Sequence, residues 1–192
     1  MSGTDLGDAI LCTARGALDR AFGWAARAMT LRIEALDEQG ATFVTLTQQG
    51  ELRGCIGTLD AHRPLREDVA ENTLAAAFHD PRFPALAAAE LEYTRIEVSL
   101  LSPSTPLPVG GERDLVARLR PGVDGIVIAW RGRRATFLPQ VWDHLPEPRA
   151  FLDALKQKAG LEADFWDPGI RVSRYTATKF REPAMSPIGI ES

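Results

Sequence analysis

Hydrophobic positions recur along this chain at two periods, one helical and one strand-like, and the two alternate. From Asp5 to Ala28, Leu6, Ile10, Thr13, Ala17 and Ala21 return every three or four residues. Asp5, Asp8, Arg15 and Asp19 fall mostly off that stripe, which predicts a helix with Cys12 as a packing residue inside it. Thr42 to Thr47 is rich in β-branched and aromatic residues and reads as a strand. Gln48-Gln49-Gly50-Glu51 reads as a turn, which makes Leu52 to Leu59 the return strand of a hairpin. Leu65, Val69, Thr73 and Ala76 form a second helical stripe, opened by Pro64. That helix ends by Asp80, because Pro81 disfavours helical geometry in the residue before it.

Further on, Tyr93 to Leu101 alternates, with Ile96, Val98 and Leu100 to one face and Arg95, Glu97 and Ser99 to the other. Ser102 to Gly111, with three prolines and two glycines, is the strongest linker in the chain and separates a core from an excursion. A short helix over Glu112–Leu119 and a turn at Pro121–Gly125 lead into a second hairpin, Ile126–Trp130 with Ala135–Leu138. Its turn carries Arg131, Arg133 and Arg134, read as solvated charges. Val141, Trp142 and Leu145 form a packing unit, Arg149–Ala159 a helix stopped by Gly160, and Ile170–Thr176 a last strand. An extended tail is expected from Glu182, which leaves residues 1–182 as one domain and 183–192 as tail. Helices mixed with antiparallel hairpins predict an α+β fold, a mixed or antiparallel sheet with flanking helices, and not a doubly wound parallel sheet.

Composition narrows the function classes. A net charge of −4 argues against a general nucleic-acid binder. Two cysteines, Cys12 and Cys55, are too few for a disulfide framework and match no zinc pattern, and His62, His79 and His144 lack metal-ligand spacing. No metal or cofactor is therefore expected. Met1–Asp8 lacks the basic region of a signal peptide and no apolar run approaches the ~20 residues of a membrane span. The expected location is the cytoplasm.

The candidate chemistry gathers at Leu52-Arg53-Gly54-Cys55-Ile56-Gly57. Strand alternation places Arg53 and Cys55 on one face, roughly 7 Å apart along the backbone, and a fixed cation beside a thiol favours the reactive thiolate. The two glycines weaken the strand and mark a bulge or a close approach to the backbone; a bulge at Gly54 would change the face of Cys55. Glu97 is a candidate acid, base or ion-pair partner of Arg53, and His79 a candidate base. Asp80-Pro81-Arg82-Phe83 is a rigid loop carrying an acid, a base and an aromatic ring. Against the reactive reading stands the ordinary role of a strand cysteine as a small core hydrophobe. Gly54–Gly57 also matches the Gly-x-x-Gly loop of KH modules, but it lies in a hairpin of an acidic chain and is rejected as such.

The hexapeptide at 52–57 resembles that of the AMMECR domain family, whose prokaryotic members are called AmmeMemoRadiSam system protein A. Further blocks are similar in the same order: Ala76–Phe83, Ile96–Pro103, Arg120–Gly125, Thr136–Trp142 and Lys158–Leu161. The resemblance implies a larger and a smaller subdomain, with the Leu52–Gly57 segment facing a cleft between them. It also implies association with a Memo-like protein and a radical S-adenosylmethionine protein, without an established reaction. On this reading Cys55, Arg53 and Glu97 are the catalytic candidates, and Leu52, Gly54, Ile56, Gly57, Asp80, Arg82 and Phe83 the binding candidates. Two functions stay open: a thiol-dependent catalytic or group-carrying component, and a non-catalytic interaction or substrate-presenting module. The substrate, a small molecule or a protein, is not specified.

Overall fold

The computed structural model describes residues 3–25 and 33–183. The predicted end of the first helix at residues 26–28 and the predicted tail from 184 onward lie outside the described residues. The chain divides into two compact units: one holds the residues up to Leu101 and those from Thr178 onward, the other Ser102–Ala177. The linker read at Ser102–Gly111 thus begins at a unit boundary.

In the first unit, α1 (Gly3–Ala21) buries Ile10, Ala14 and Leu18. Two short strands, β1 (Gln39–Gly40) and β4 (Arg63–Pro64), pair with each other. The hairpin of β2 (Thr42–Gln48) and β3 (Glu51–Gly57) turns through Gln49 and Gly50, at φ 51° and 89°. That is the mirror-image turn whose twist matches a two-residue hairpin, and Gly50 adopts it without penalty. Helix α2 (Leu65–Phe78) stops two residues before Asp80, as the proline rule requires. Strand β5 (Thr94–Leu101) completes the centre of a sheet ordered β10-β5-β2-β3, where β10 is Ala177–Arg181. Val44, Leu46, Ile96 and Val98 form its apolar face and join Ile10, Leu18, Val69 and Ala76 of the two helices in one core.

A buried polar network pins this unit. Asp68, wholly enclosed, accepts hydrogen bonds from the N–H and hydroxyl of Thr42, from Asn72 Nδ2 and from Arg63 Nε, at 2.7–3.0 Å; Thr58 also donates to it. Every oxygen being satisfied, the buried carboxylate ties β2 and α2 to the segment after β3.

Strand β10 was not legible as a separate element, and it shifts the start of the tail. Glu182, expected to begin an extended tail, is anchored. Arg15 donates to its carboxylate through Nε and Nη2 at 2.8 and 2.5 Å, the Ile96 N–H donates to the same carboxylate at 3.0 Å, and the Glu182 N–H donates to the Ile96 carbonyl.

The second unit contains β6 (Thr105–Pro106), α3 (Glu112–Arg118), β7 (Gly125–Trp130), β8 (Arg133–Phe137), α4 (Pro148–Lys158) and β9 (Arg171–Tyr175). Its antiparallel sheet runs β6-β9-β7-β8 over a core of Ile126, Ile128, Phe151, Leu152 and Leu155. Trp142 stacks flat on Phe151 with centroids 3.7 Å apart and donates its indole N–H to the Asp124 carbonyl. Among the described residues, four α-helices with antiparallel sheets make the fold α+β, as the sequence pattern predicts. Among the described residues no helix is long and apolar enough to cross a membrane.

Candidate functional site

Strand β3 lies at the edge of its sheet, and its geometry follows from one irregularity. The two-residue turn sets Gln48 opposite Glu51 and Thr47 opposite Leu52. Continued regularly, that count would put Arg53 opposite Leu46 and Cys55 opposite Val44, on the face that packs against the helices. A bulge intervenes instead. Leu46 pairs with Gly54, leaving Arg53 without a partner, and Val44 pairs with Ile56. The apolar pattern of β2 thereby keeps an apolar partner, at the cost of one extra residue in β3.

The bulge settles the face of each motif residue. Gly54 lies directly under α2, where a Cβ would collide with the Ala76 carbonyl. Ile56 packs against the core. Cys55 sits opposite Thr45, which is itself opposite Glu97, so the three form one row on the face turned away from the helices. Leu52 lies on the same outer face opposite Thr47 and is 41% exposed. Gly57 faces Phe43, whose ring occupies the space a side chain would need. The close approaches that the glycines signalled are made by this chain's own atoms. Gly54 and Ile56 are packing residues and not an open binding surface.

Arg53 does not accompany Cys55. The bulge breaks the alternation, and the guanidinium instead binds the Glu90 carboxylate through Nε and Nη2 at 2.8 and 3.0 Å. It also donates to the carbonyls of Pro84 and Ala85, at 2.8 and 3.4 Å. Arg53 therefore organises the loop after α2. Glu90 is held at a pKa of about 2, chiefly by Arg53, with help from the Ala87 N–H and Gln48.

The cation beside Cys55 is Arg82. Asp80, its side chain only 2% exposed, accepts the Cys55 N–H at 2.9 Å. The same carboxylate takes the main-chain N–H, Nε and Nη2 of Arg82, at 3.1, 3.0 and 2.7 Å. Arg82 Nη2 in turn reaches the Cys55 carbonyl at 3.4 Å. The Arg82 guanidinium, with the Cys55 N–H, holds Asp80 well below the usual carboxylate range. Arg82 is raised in turn, first by Asp80 and then by the proximity of Cys55. Phe83 lies 5.5 Å from the guanidinium, centroid to Cζ.

Cys55 itself is half-buried, and the Thr45 hydroxyl donates to Sγ at 3.4 Å. Glu97 shares its row two strands away, roughly 10 Å by strand spacing, and is ion-paired with Arg181 and Lys179. It is not a partner of Arg53. His79 is exposed at the end of α2. Among the described residues no group of three His, Cys, Asp or Glu side chains is arranged to hold a metal ion.

Sequence reasoning missed Thr45 and Glu90. Thr45 was recoverable only through the register, which the bulge shifts by one. Glu90, in a short 3-10 turn, carried no pattern at all.

Comparison with known proteins bears on the whole chain. The family model described as AMMECR1 matches residues 11–180. A protein of Methanothermobacter thermautotrophicus is 40% identical over 151 residues, covering 76% of this chain and 77% of its own length. A protein of Methanocaldococcus jannaschii is 34% identical over 157 residues, covering 78% and 76% respectively. The crystal structure of an uncharacterized protein from Pyrococcus horikoshii superposes with a TM-score of 0.80 at 29% identity, over 92% of this chain and 91% of that one.

Proposed function

The chain belongs to the AMMECR1 family, and from that premise we propose that it is the AMMECR component of a modification system. In this reading it works in the cytoplasm with a Memo-like protein and a radical S-adenosylmethionine protein. The outer sheet face around Cys55 is where it engages its substrate. The observation that supports the site is the clamp on Cys55. Asp80 takes its N–H and Arg82 its carbonyl, while Sγ meets a hydroxyl on a half-exposed face. A thiol on main chain fixed in this way needs no backbone reorganisation when a ligand arrives, which lowers the cost of binding. The Arg82 charge at the same residue suits a thiol that acts as nucleophile or carrier.

The experiment is alkylation with iodoacetamide at about pH 7.5, near the ordinary thiol range. Cys55 should react faster than Cys12, and Arg82→Ala should slow Cys55. Equal rates at the two cysteines would discard the thiol role.

The second reading, a non-catalytic presenting module, draws on a specific contact as well. The side chain that meets Sγ is the Thr45 hydroxyl, and among the described residues no histidine or carboxylate faces the thiol at hydrogen-bond distance as a general base. Under both readings the purified protein alone turns over no simple ester, amide or phosphate. Cys55-dependent hydrolysis by the isolated chain would replace both with a self-sufficient thiol enzyme.

A further inference from the structure

A cavity of about 440 Å³ lies in the first unit, lined by Arg15, Asp19, Trp24, Glu92, Arg95 and Glu182 among others. That volume is in the range of small-molecule sites. Its polar groups are not equivalent. Arg15 and Glu182 neutralise each other through two hydrogen bonds. Arg95 spends Nη1 on the carbonyls of Glu92 and Thr94, both at 3.1 Å.

Asp19 is different. It is only 9% exposed, and among the described residues no hydrogen bond or ion pair reaches its carboxylate. It also stands in the last turns of α1, whose end lies at Ala21. The main-chain carbonyls there create a negative potential that disfavours an acid and favours a cation. The Asp19 carboxylate opens onto the cavity, which leaves it available to a cationic ligand at a helix end that favours one. Trp24, 46% exposed, presents an indole to the same cavity, and an aromatic face attracts cations. Three carboxylates against two guanidinium groups leave the lining net negative.

We propose that this cavity binds a small organic ammonium ion, with Asp19 as its counter-ion and Trp24 as an aromatic wall. The ammonium supplies the hydrogen-bond donors that Asp19 lacks, and its alkyl stem lies against Leu91 and Pro183, which also line the space. The site is separate from the Cys55 face and stands without any assumption about the thiol.

The test titrates the full chain with n-butylamine at neutral pH, against n-butanol and butyrate as the neutral and anionic counterparts. Binding is read by tryptophan fluorescence, with Trp24→Phe identifying the responding indole. Butylammonium should bind saturably and the other two at least about tenfold more weakly, the order expected for losing a hydrogen bond to a charged group. Asp19→Asn should weaken the amine by a similar factor and leave the alcohol unchanged. If Asp19→Asn does not fold, Glu92→Gln provides the second variant and should weaken the amine in the same direction. Equal binding of amine and alcohol, preference for butyrate, no saturable amine signal, or an unchanged affinity in both variants would each overturn the proposal.

Discussion

Asp80 accepts the main-chain N–H of Cys55 at 2.9 Å, and through that one bond a loop takes the place of a neighbouring strand. Arg82, held by the same carboxylate, supplies the complementary donor to the Cys55 carbonyl. The outward-facing polar groups of an edge strand are a template for unwanted pairing. Here the template is closed at the residue whose side chain is offered outward.

Replacing Asp80 therefore removes more than one bond. Asp80→Ala leaves the Cys55 N–H and the inner edge of Arg82 without partners, so a loss of about 2–4 kcal/mol is expected. Urea denaturation measures it, and a loss below about 0.5 kcal/mol would show that the clamp is not a stabilising contact.

Arg53 and Glu90 should behave as a coupled pair. Each single change to alanine strands a partner, and Arg53→Ala also frees the Pro84 and Ala85 carbonyls. A double-mutant cycle should return a coupling of about 1–3 kcal/mol. Arg53→Ala should alter Cys55 alkylation less than Arg82→Ala, since Arg82 is the cation adjacent to the cysteine.

Gly54 admits no side chain. Gly54→Ala drives a methyl into the Ala76 carbonyl of α2, and main chain cannot move aside cheaply. A cost of about 3 kcal/mol or more is expected by denaturation, against within about 0.5 kcal/mol for a change at the exposed Leu52. An unaffected Gly54→Ala would mean that α2 does not lie on β3 as described.

Stability should decline at both ends of the pH scale, for opposite reasons. Asp80 and Glu90 have lowered pKa values in the folded state, so the unfolded chain binds their protons more readily. Their contribution is present above the ordinary carboxylate values of about 4. It is lost as pH falls, through about 2 for Glu90 and lower still for Asp80. At the alkaline end, burial raises Tyr175 to about 12, against its hydrogen bond with Thr136, which lowers it. Its contribution is present below about 10, the ordinary tyrosine value, and is lost as pH rises above it. Denaturant midpoints across pH should show both limbs. Asp80→Asn should flatten the acid limb and Tyr175→Phe the alkaline one.

Much of the fold was legible locally. The proline after Asp80 set the end of α2, the alternation of Ile96 and Val98 set the face of β5, and glycine punctuation marked both hairpins. Residues close in sequence supply those signals, and short-range sterics act on them directly. The hexapeptide was likewise visible as a strained strand with a cysteine, and the order of its companion blocks pointed to the family.

What the sequence by itself determined, then, is the periodic elements and the place of the unusual segment. Which way that segment faces was decided only in three dimensions. The turn favoured one register for β3 and the apolar residues of β2 another; the bulge at Arg53 is how packing prevailed. One extra residue sent Arg53 to Glu90, turned Cys55 outward beside Thr45, and left Arg82, twenty-seven positions later in the chain, as the neighbouring cation. β10 and the anchoring of Glu182 depended in the same way on a return across the chain that no local pattern encodes. Local propensity specifies the elements; register and the partners of buried charges follow from the competition among contacts that only the folded chain makes.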